Sequence, residues 1–292
     1  ARFASFLYPM IQPTRFILPV LILTQTAFAQ TAPTPVAHWH FSDFGAGAVR
    51  KVVNDRAGNL YDEVLGYCDL AEGIKDKAIK LDGFTVRVTR PADKAPALDG
   101  AFSFEGWIAL QEYPWNWAAI VNQERDHKEG WFFGIGGDGR VGLHVAKDGK
   151  WIECNSKSKL PLLKWTHVAG SYDPAVGLKV FINGKPEGEI KTTGPITPAK
   201  GVDLLLGLSH TKAAPIRTER EYSASFKSPM LLDGLLDEVK IYNKALTDAE
   251  VAQAYAAAQP KVAQPLQFRV LPSGPEGPAE FGAVQTRLRY AP

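Results

Sequence analysis

The stretch GLLDEVKIYNKAL, residues 234–246, decides how the chain is read. Its apolar residues recur at the period of a strand, yet two acids stand side by side in its middle. Successive side chains of a strand point to opposite faces. Leu235, Asp237, Val239 and Ile241 are therefore expected on one face, and Leu236, Glu238, Lys240 and Tyr242 on the other. Glu238 travels with a lysine and is expected to meet water. Asp237 travels with aliphatics, where an unsatisfied carboxylate is costly. The pattern predicts a partner for Asp237.

Upstream of this stretch the chain is strand after strand, from AHWHF (37–41) and KAIKLDG (77–83) through AFSFEGWIAL (101–110), GWFFGIGG (130–137), RVGLHVA (140–146) and WIECNS (151–156) to VDLLLGLS (202–209). Asp138-Gly139, Asp148-Gly149 and Asn183-Gly184 are dipeptides suited to two-residue hairpins, whose central residues need positive φ. Short strands joined in this way predict an all-β, antiparallel sandwich. One short C-terminal helix follows. Thr247-Asp248-Ala249-Glu250 fits a capping box, Val251, Ala254, Tyr255 and Ala258 recur at helical spacing, and Gln259-Pro260 ends the run. That helix is expected to cover one end of the sandwich.

The 292 residues divide by composition. Arg15, the apolar run FILPVLILTQTAF and the small-x-small site Ala27-Phe28-Ala29 together read as a secretory signal peptide over residues 1–29, with cleavage near Ala29. Met10 is the expected start, since residues 1–9 add nothing to the signal. A spacer (30–36), the strand-rich domain (37–258), a proline-rich linker (259–280) and the opening of a further domain (281–292) are expected after it. Loss of residues 1–29 removes Arg2 and Arg15 and no acid, so basic and acidic residues balance at 31 each. That balance provides no electrostatic footprint for nucleic acid or an anionic membrane. An exported chain is a setting in which Cys68 and Cys154 can persist as a disulfide or stay as two thiols, and sequence does not bring their Cα atoms within range.

HWHF (38–41), FSFEGWIAL (102–110), KWTHVAGSYD (164–173) with LKVFINGK (178–185), and GLLDEVKIYNKALTDAEV (234–251) occur in an order that resembles the laminin G-like jelly rolls. These belong to the concanavalin A-like lectin/glucanase group and are common in exported bacterial proteins. The resemblance covers about residues 37–258. It implies two stacked, curved sheets and often a calcium ion near the aspartate of the D-E-V segment. The matching residues are Asp237 with Asp43, Asp55 and Asn54 upstream, although Ser42-Asp43 departs from the commoner acidic pair. Calcium takes six to eight oxygens. A carboxylate that caps backbone amides or pairs with an arginine satisfies the same position without a metal.

The glucanases of that group carry an E-x-D-x-x-E run that flanks the glycosidic bond with carboxylates, and this sequence has none. Glu219-Arg220-Glu221 reads as a solvated loop. H-E-x-x-H, C-x-x-C, G-x-S-x-G and phosphate-binding loops are also absent from the sequence. His38 and His40 share a strand face, while His144 and His167 read as satisfied core residues. Trp107, Trp131 and Trp165 fall in core strands. Trp115 and Trp117 stand instead in the proline-containing loop EYPWNWAA (112–119), where their flat aromatic faces either suit sugar rings or fold back over the end of the sandwich. The long connection 209–230 adds Arg217, Arg220 and Tyr222 as candidate ligand contacts. The expectation is a secreted or periplasmic module that binds a polysaccharide or glycan, without a reaction of its own. A structural or adhesion domain, or the N-terminal module of a glycoside hydrolase whose catalytic domain follows residue 292, are the alternatives.

Overall fold

The computed structural model describes residues 32–42, 45–46, 51–214, 216 and 229–266. Short strands come first: β1 (Ala37–Trp39), β2 (Gly45–Ala46), β3 (Lys51–Asp55), β4 (Leu60–Leu65), β5 (Asp69–Glu72), β6 (Lys77–Asp82) and β7 (Arg87–Arg90). A run of longer ones follows: β8 (Phe102–Leu110), β9 (Ala118–Arg125), β10 (Glu129–Ile135), β11 (Arg140–Lys147), β12 (Lys150–Lys159), β13 (Thr166–Asp173), β14 (Gly177–Ile182) and β15 (Lys185–Lys191). Then come β16 (Leu204–Leu206), β17 (Asp233–Tyr242) and the helix α1 (Asp248–Ala257).

All pairings are antiparallel and form two layers. One runs β5-β6-β17-β8-β13-β14-β15. The other runs β2-β3-β4-β7-β16-β9-β10-β11-β12. β1 pairs with both β17 and β3 and joins the layers at one corner. Between them lies one apolar core that includes Trp39, Phe104, Trp131, Phe133, Leu143, Val180, Leu204 and Ile241. The jelly-roll sandwich expected from the sequence is the fold. Both cysteines are free, with Cys154 inside the core.

The alternation read from GLLDEVKIY breaks in the middle of β17. Its register against β8 shifts between Asp237 and Lys240, and Glu238 has φ +51°. A bulge adds one residue to one strand, so every later side chain changes face. Leu236, Val239 and Ile241 consequently share the main core, while Leu235 lies on the opposite face. Glu238 does not meet water; it is 3% exposed. Asp148-Gly149 and Asn183-Gly184 form the expected two-residue hairpins, with positive φ at both residues. At Asp138-Gly139 only the glycine has positive φ, because β10 stops at Ile135 and residues 136–139 make a longer turn in which the Asp138 side chain accepts from the Arg140 amide.

The capping box forms as read. Thr247 Oγ1 accepts from the Glu250 amide, and Glu250 Oε2 from the Thr247 amide (2.9 Å). α1 then places Val251 against Phe181, Tyr242 and Leu246, and Tyr255 over Trp107. Beyond it, Val262 and Leu266 pack beside Trp107 and Trp165, and the Leu266 amide donates to Leu163 O (2.7 Å).

Candidate functional site

The helix and residues 262–266 close the outer face of the first layer. Glu105 is buried there, accepting from Lys240 Nζ (2.8 Å) and Tyr242 Oη (2.7 Å), with His167 Nε2 at 3.6 Å. Burial works against its charge, yet His167 and Lys240 hold the carboxyl well below the usual carboxylate range. The outer face of the second layer carries no α-helix among the described residues, although Asn122, Phe132 and His144 on it are buried.

Strand register decides which side chains meet on that outer face. Leu205, Asn122, Phe132, His144 and Glu153 are successive cross-strand partners in one row over β16, β9, β10, β11 and β12. In the next row Glu124 pairs with Gly130, and Ala146 with Trp151. On the other side of the first row, Ala119, Gly134, Gly142 and Asn155 are aligned. Trp117 folds back over this last row. A Cβ on Gly142 would come within 2.7 Å of the Trp117 ring and 2.5 Å of His144 Nε2, so the glycine makes room for the indole.

The rings form a continuous chain. Trp117 meets His144 edge-on at 4.5 Å, and His144 stacks on Phe132 at 5.3 Å. Trp151 lies 5.9 Å from His144 and stacks on His127 at 4.7 Å and 15°. His144 is buried, as the sequence reading expects, but among these outward rings rather than in the core, with Nε2 2.7 Å from Asn155 Oδ1. Burial, helped by the nearby His127, pushes its pKa down to about 4 despite the Asn155 contact. The imidazole is thus neutral at physiological pH and packed among the other rings.

At the His127 end of the chain a polar cavity of about 340 Å³ opens, lined by Glu124, Arg125, Asp126, Asp203, His210 and Thr211 among others. Glu124 is 1% exposed and accepts from the Thr211 amide (2.8 Å), Thr211 Oγ1 (2.8 Å) and the His127 amide (3.1 Å). Ser209 Oγ donates to Trp117 O (2.9 Å), and the His210 amide to Asn122 Oδ1 (3.2 Å). The start of the long connection is thereby tied along β9. It continues past the tryptophan loop, where Asn116 Nδ2 donates to Ala214 O and the Ile216 amide to Trp115 O. Trp115 is 39% exposed and Trp117 half-buried beside it.

Trp115 and Trp117 therefore border one face together with His210. Arg217, Arg220 and Tyr222 lie outside the described residues. Trp151, His127, Glu124 and Asp203 were not singled out from the sequence. One signal was present: WIECNS alternates Trp151, Glu153 and Asn155 against Ile152 and Cys154, as an outward polar row would.

The acids matched to a calcium site have protein partners. Asp237 Oδ2 accepts from the Ile74 (2.8 Å) and Lys75 (3.1 Å) amides, and Oδ1 from the Glu238 amide (2.7 Å). Burial and the adjacent Glu238 charge lift its pKa to about 7 against those donors. Glu238 is held at about 2, in spite of burial, by His38, Lys240 and Lys75. Asp55 Oδ1 accepts from the His38 and Ala57 amides, and Oδ2 from Arg90 Nη2 (2.8 Å). Asn54 Oδ1 is buried with no hydrogen-bond partner among the described residues, and Asp43 lies outside them. Among the described residues no three His, Cys, Asp or Glu side chains converge on one point. Asp55 faces a guanidinium, whose charge opposes a nearby cation.

The family model of the concanavalin A-like lectin/glucanases superfamily matches residues 85–252, more than half of the chain. Among solved structures, domain 4 of AbnA, a GH43 extracellular arabinanase from Geobacillus stearothermophilus in complex with arabinotriose, superposes with a TM-score of 0.56 at 20% identity, covering 76% of this chain and 98% of that one. The binding domain of Paraclostridial Mosquitocidal Protein 1 gives 0.55 at 16% identity over 77% of this chain and 52% of that chain. The binding domain of Botulinum Neurotoxin DC in complex with SialylT gives 0.54 at 15% over 77% and 51%. This chain spans about half the length of the two toxin domains. At these identities the likeness is one of fold. No curated protein matches the sequence.

Proposed function

The chain belongs to the concanavalin A-like lectin/glucanases superfamily, and from that premise we propose that it is a carbohydrate-binding module that works outside the cytoplasm and catalyses no reaction itself. The observation that carries this reading is the chain of rings on the outer face of the second layer, of which Trp117, Trp151 and His127 reach the surface. There the rings of Trp117, Phe132, His144, Trp151 and His127 run in contact to a polar cavity. Sugars present apolar C–H faces and a rim of hydroxyls, which match flat rings beside a few fixed acceptors. Trp115 borders the same site, and Arg217, Arg220 and Tyr222 of the long connection are ligand contacts proposed from the sequence alone. Two of the superposed domains were solved with arabinotriose and SialylT, which supports a glycan as the ligand class. Export through the signal-like residues 10–29 belongs to the proposal.

Affinity electrophoresis through gels holding different polysaccharides, followed by calorimetry on those that retard the protein, tests it. Trp151→Ala is expected to weaken binding tenfold or more, about 1.4 kcal/mol, with the melting temperature nearly unchanged. A folded protein that no polysaccharide retards would favour the adhesion alternative. Full-strength binding by Trp151→Ala and by the Trp115→Ala, Trp117→Ala double variant would remove the site.

A further inference from the structure

The outer face of the second layer extends well beyond the ring chain, and register shows how far. Tyr61 is 68% exposed. It points outward from β4, since its neighbour Asp62 points inward to Arg90 and Val64 into the core. Glu63 pairs with Thr89, Thr89 with Leu205, and Leu205 with Asn122, so these four form one lateral row. Two residues further along each strand, the same register sets Tyr61 beside Pro91, Pro91 beside Asp203, and Asp203 beside Glu124. The Ala92 amide donates to Asp203 Oδ1 (2.9 Å), as that alignment requires. From Glu124 the row continues to Gly130 and Ala146, which Thr197 bridges by accepting from the Gly130 amide and donating to Ala146 O, each at 2.7 Å. It ends on Trp151, the partner of Ala146.

One line across the strands thus begins on an exposed tyrosine, passes the cavity of Glu124, Asp126 and Asp203, and ends on the stacked Trp151–His127 pair. At the usual strand spacing the two aromatic ends are roughly 30 Å apart. The charge between them is acidic. Arg125, the guanidinium in the cavity lining, is turned to Glu129 Oε2 (3.2 Å) and Lys200 O (2.8 Å). Carboxylates accept hydrogen bonds from hydroxyls, and they repel the carboxylates of acidic sugars.

We propose that this row holds an extended, uncharged polysaccharide chain laid across the strands, with Tyr61 and Trp151–His127 as its two end platforms, an assignment that rests on the glycan-binding reading above. A ligand of that length engages both platforms, whereas a short one reaches the cavity and a single platform. Calorimetry with ladders of neutral gluco-, manno- and arabino-oligosaccharides, with polygalacturonate as the acidic polymer, is the test. Affinity is expected to rise about tenfold from the short to the long members of the ladder that binds, equivalent to about 1.4 kcal/mol. Tyr61→Ala is expected to remove that gain while leaving short-chain affinity intact; its exposed side chain can be truncated without disturbing the core. Affinity independent of chain length, no effect of Tyr61→Ala on long chains, or polygalacturonate bound as tightly as the neutral polymer would overturn the proposal alone. Binding to none of the ladders nor to any polysaccharide overturns the glycan reading and this proposal with it.

Discussion

Arg90→Met removes the cation from a buried cluster of two carboxylates. Arg90 is 1% exposed between the layers. Its Nε donates to Asp62 Oδ1 (2.9 Å), and its Nη2 to Asp62 Oδ2 (2.6 Å) and Asp55 Oδ2 (2.8 Å). The guanidinium also lies 4.6 Å over the Trp39 ring, whose Nε1 donates to Asp62 Oδ2 (2.6 Å). Methionine keeps much of the aliphatic stem and deletes the charge. Two carboxylates, 0% and 2% exposed, are then left without their cation. Breaking a buried ion pair from one side costs about 3–5 kcal/mol. For a domain of this size that lowers the melting temperature by roughly 6–20 °C. Urea unfolding followed by tryptophan fluorescence measures it. A pH signature accompanies the loss, because the orphaned acids gain folded pKa values above their unfolded ones. The variant's folded state then binds more protons than its unfolded state between about pH 4 and 7, so its stability declines as pH rises through that window. Adding Asp55→Asn and Asp62→Asn should recover part of the loss. A destabilisation under about 1 kcal/mol, or one equal in weak acid and at neutrality, would refute the assignment of Arg90 as the charge that holds these two acids.

The His144 pKa, at about 4 against an ordinary 6.5, gives the opposite slope: its stabilising contribution is complete above about pH 6.5 and is lost as pH falls toward 4. That is worth up to about 3 kcal/mol. His144→Gln should flatten this part of the stability curve, and the difference between the two proteins is the readout, since Asp237, lifted to about 7, loses stability as pH rises through the same window. Melting curves in calcium and in EDTA are expected to coincide, because Asp237 and Asp55 are satisfied by amides and Arg90. A rise of several degrees in calcium would show that Asp43 and Asn54 complete a site. Reducing agent should leave the melting temperature unchanged, as both thiols are free. Thiol titration of the folded protein should show the half-buried Cys68 reacting well before Cys154, whose pKa burial pushes up to about 12.

Local chemistry in the sequence determined the architecture. Alternation at period two marked the strands, paired positive-φ dipeptides marked two hairpins, and Thr247 with Glu250 marked the start of the helix. Each of these signals acts between residues a few positions apart, where steric and hydrogen-bonding rules need no distant partner. The demand that Asp237 have a partner was also legible, but not its identity, because the amides of Ile74 and Lys75 arrive from more than 160 positions away. Nor was the bulge at Glu238, which turns an acid expected in water into a buried one between His38 and Lys75. The candidate site depended most on tertiary structure. Trp115 and Trp117 could be singled out as loop aromatics, whereas Tyr61, Asp203, Glu124 and Trp151 look unremarkable in four separate strands or turns. Only the register between layers' neighbouring strands lines them up, and register is set by core packing and turn lengths summed over the whole sandwich.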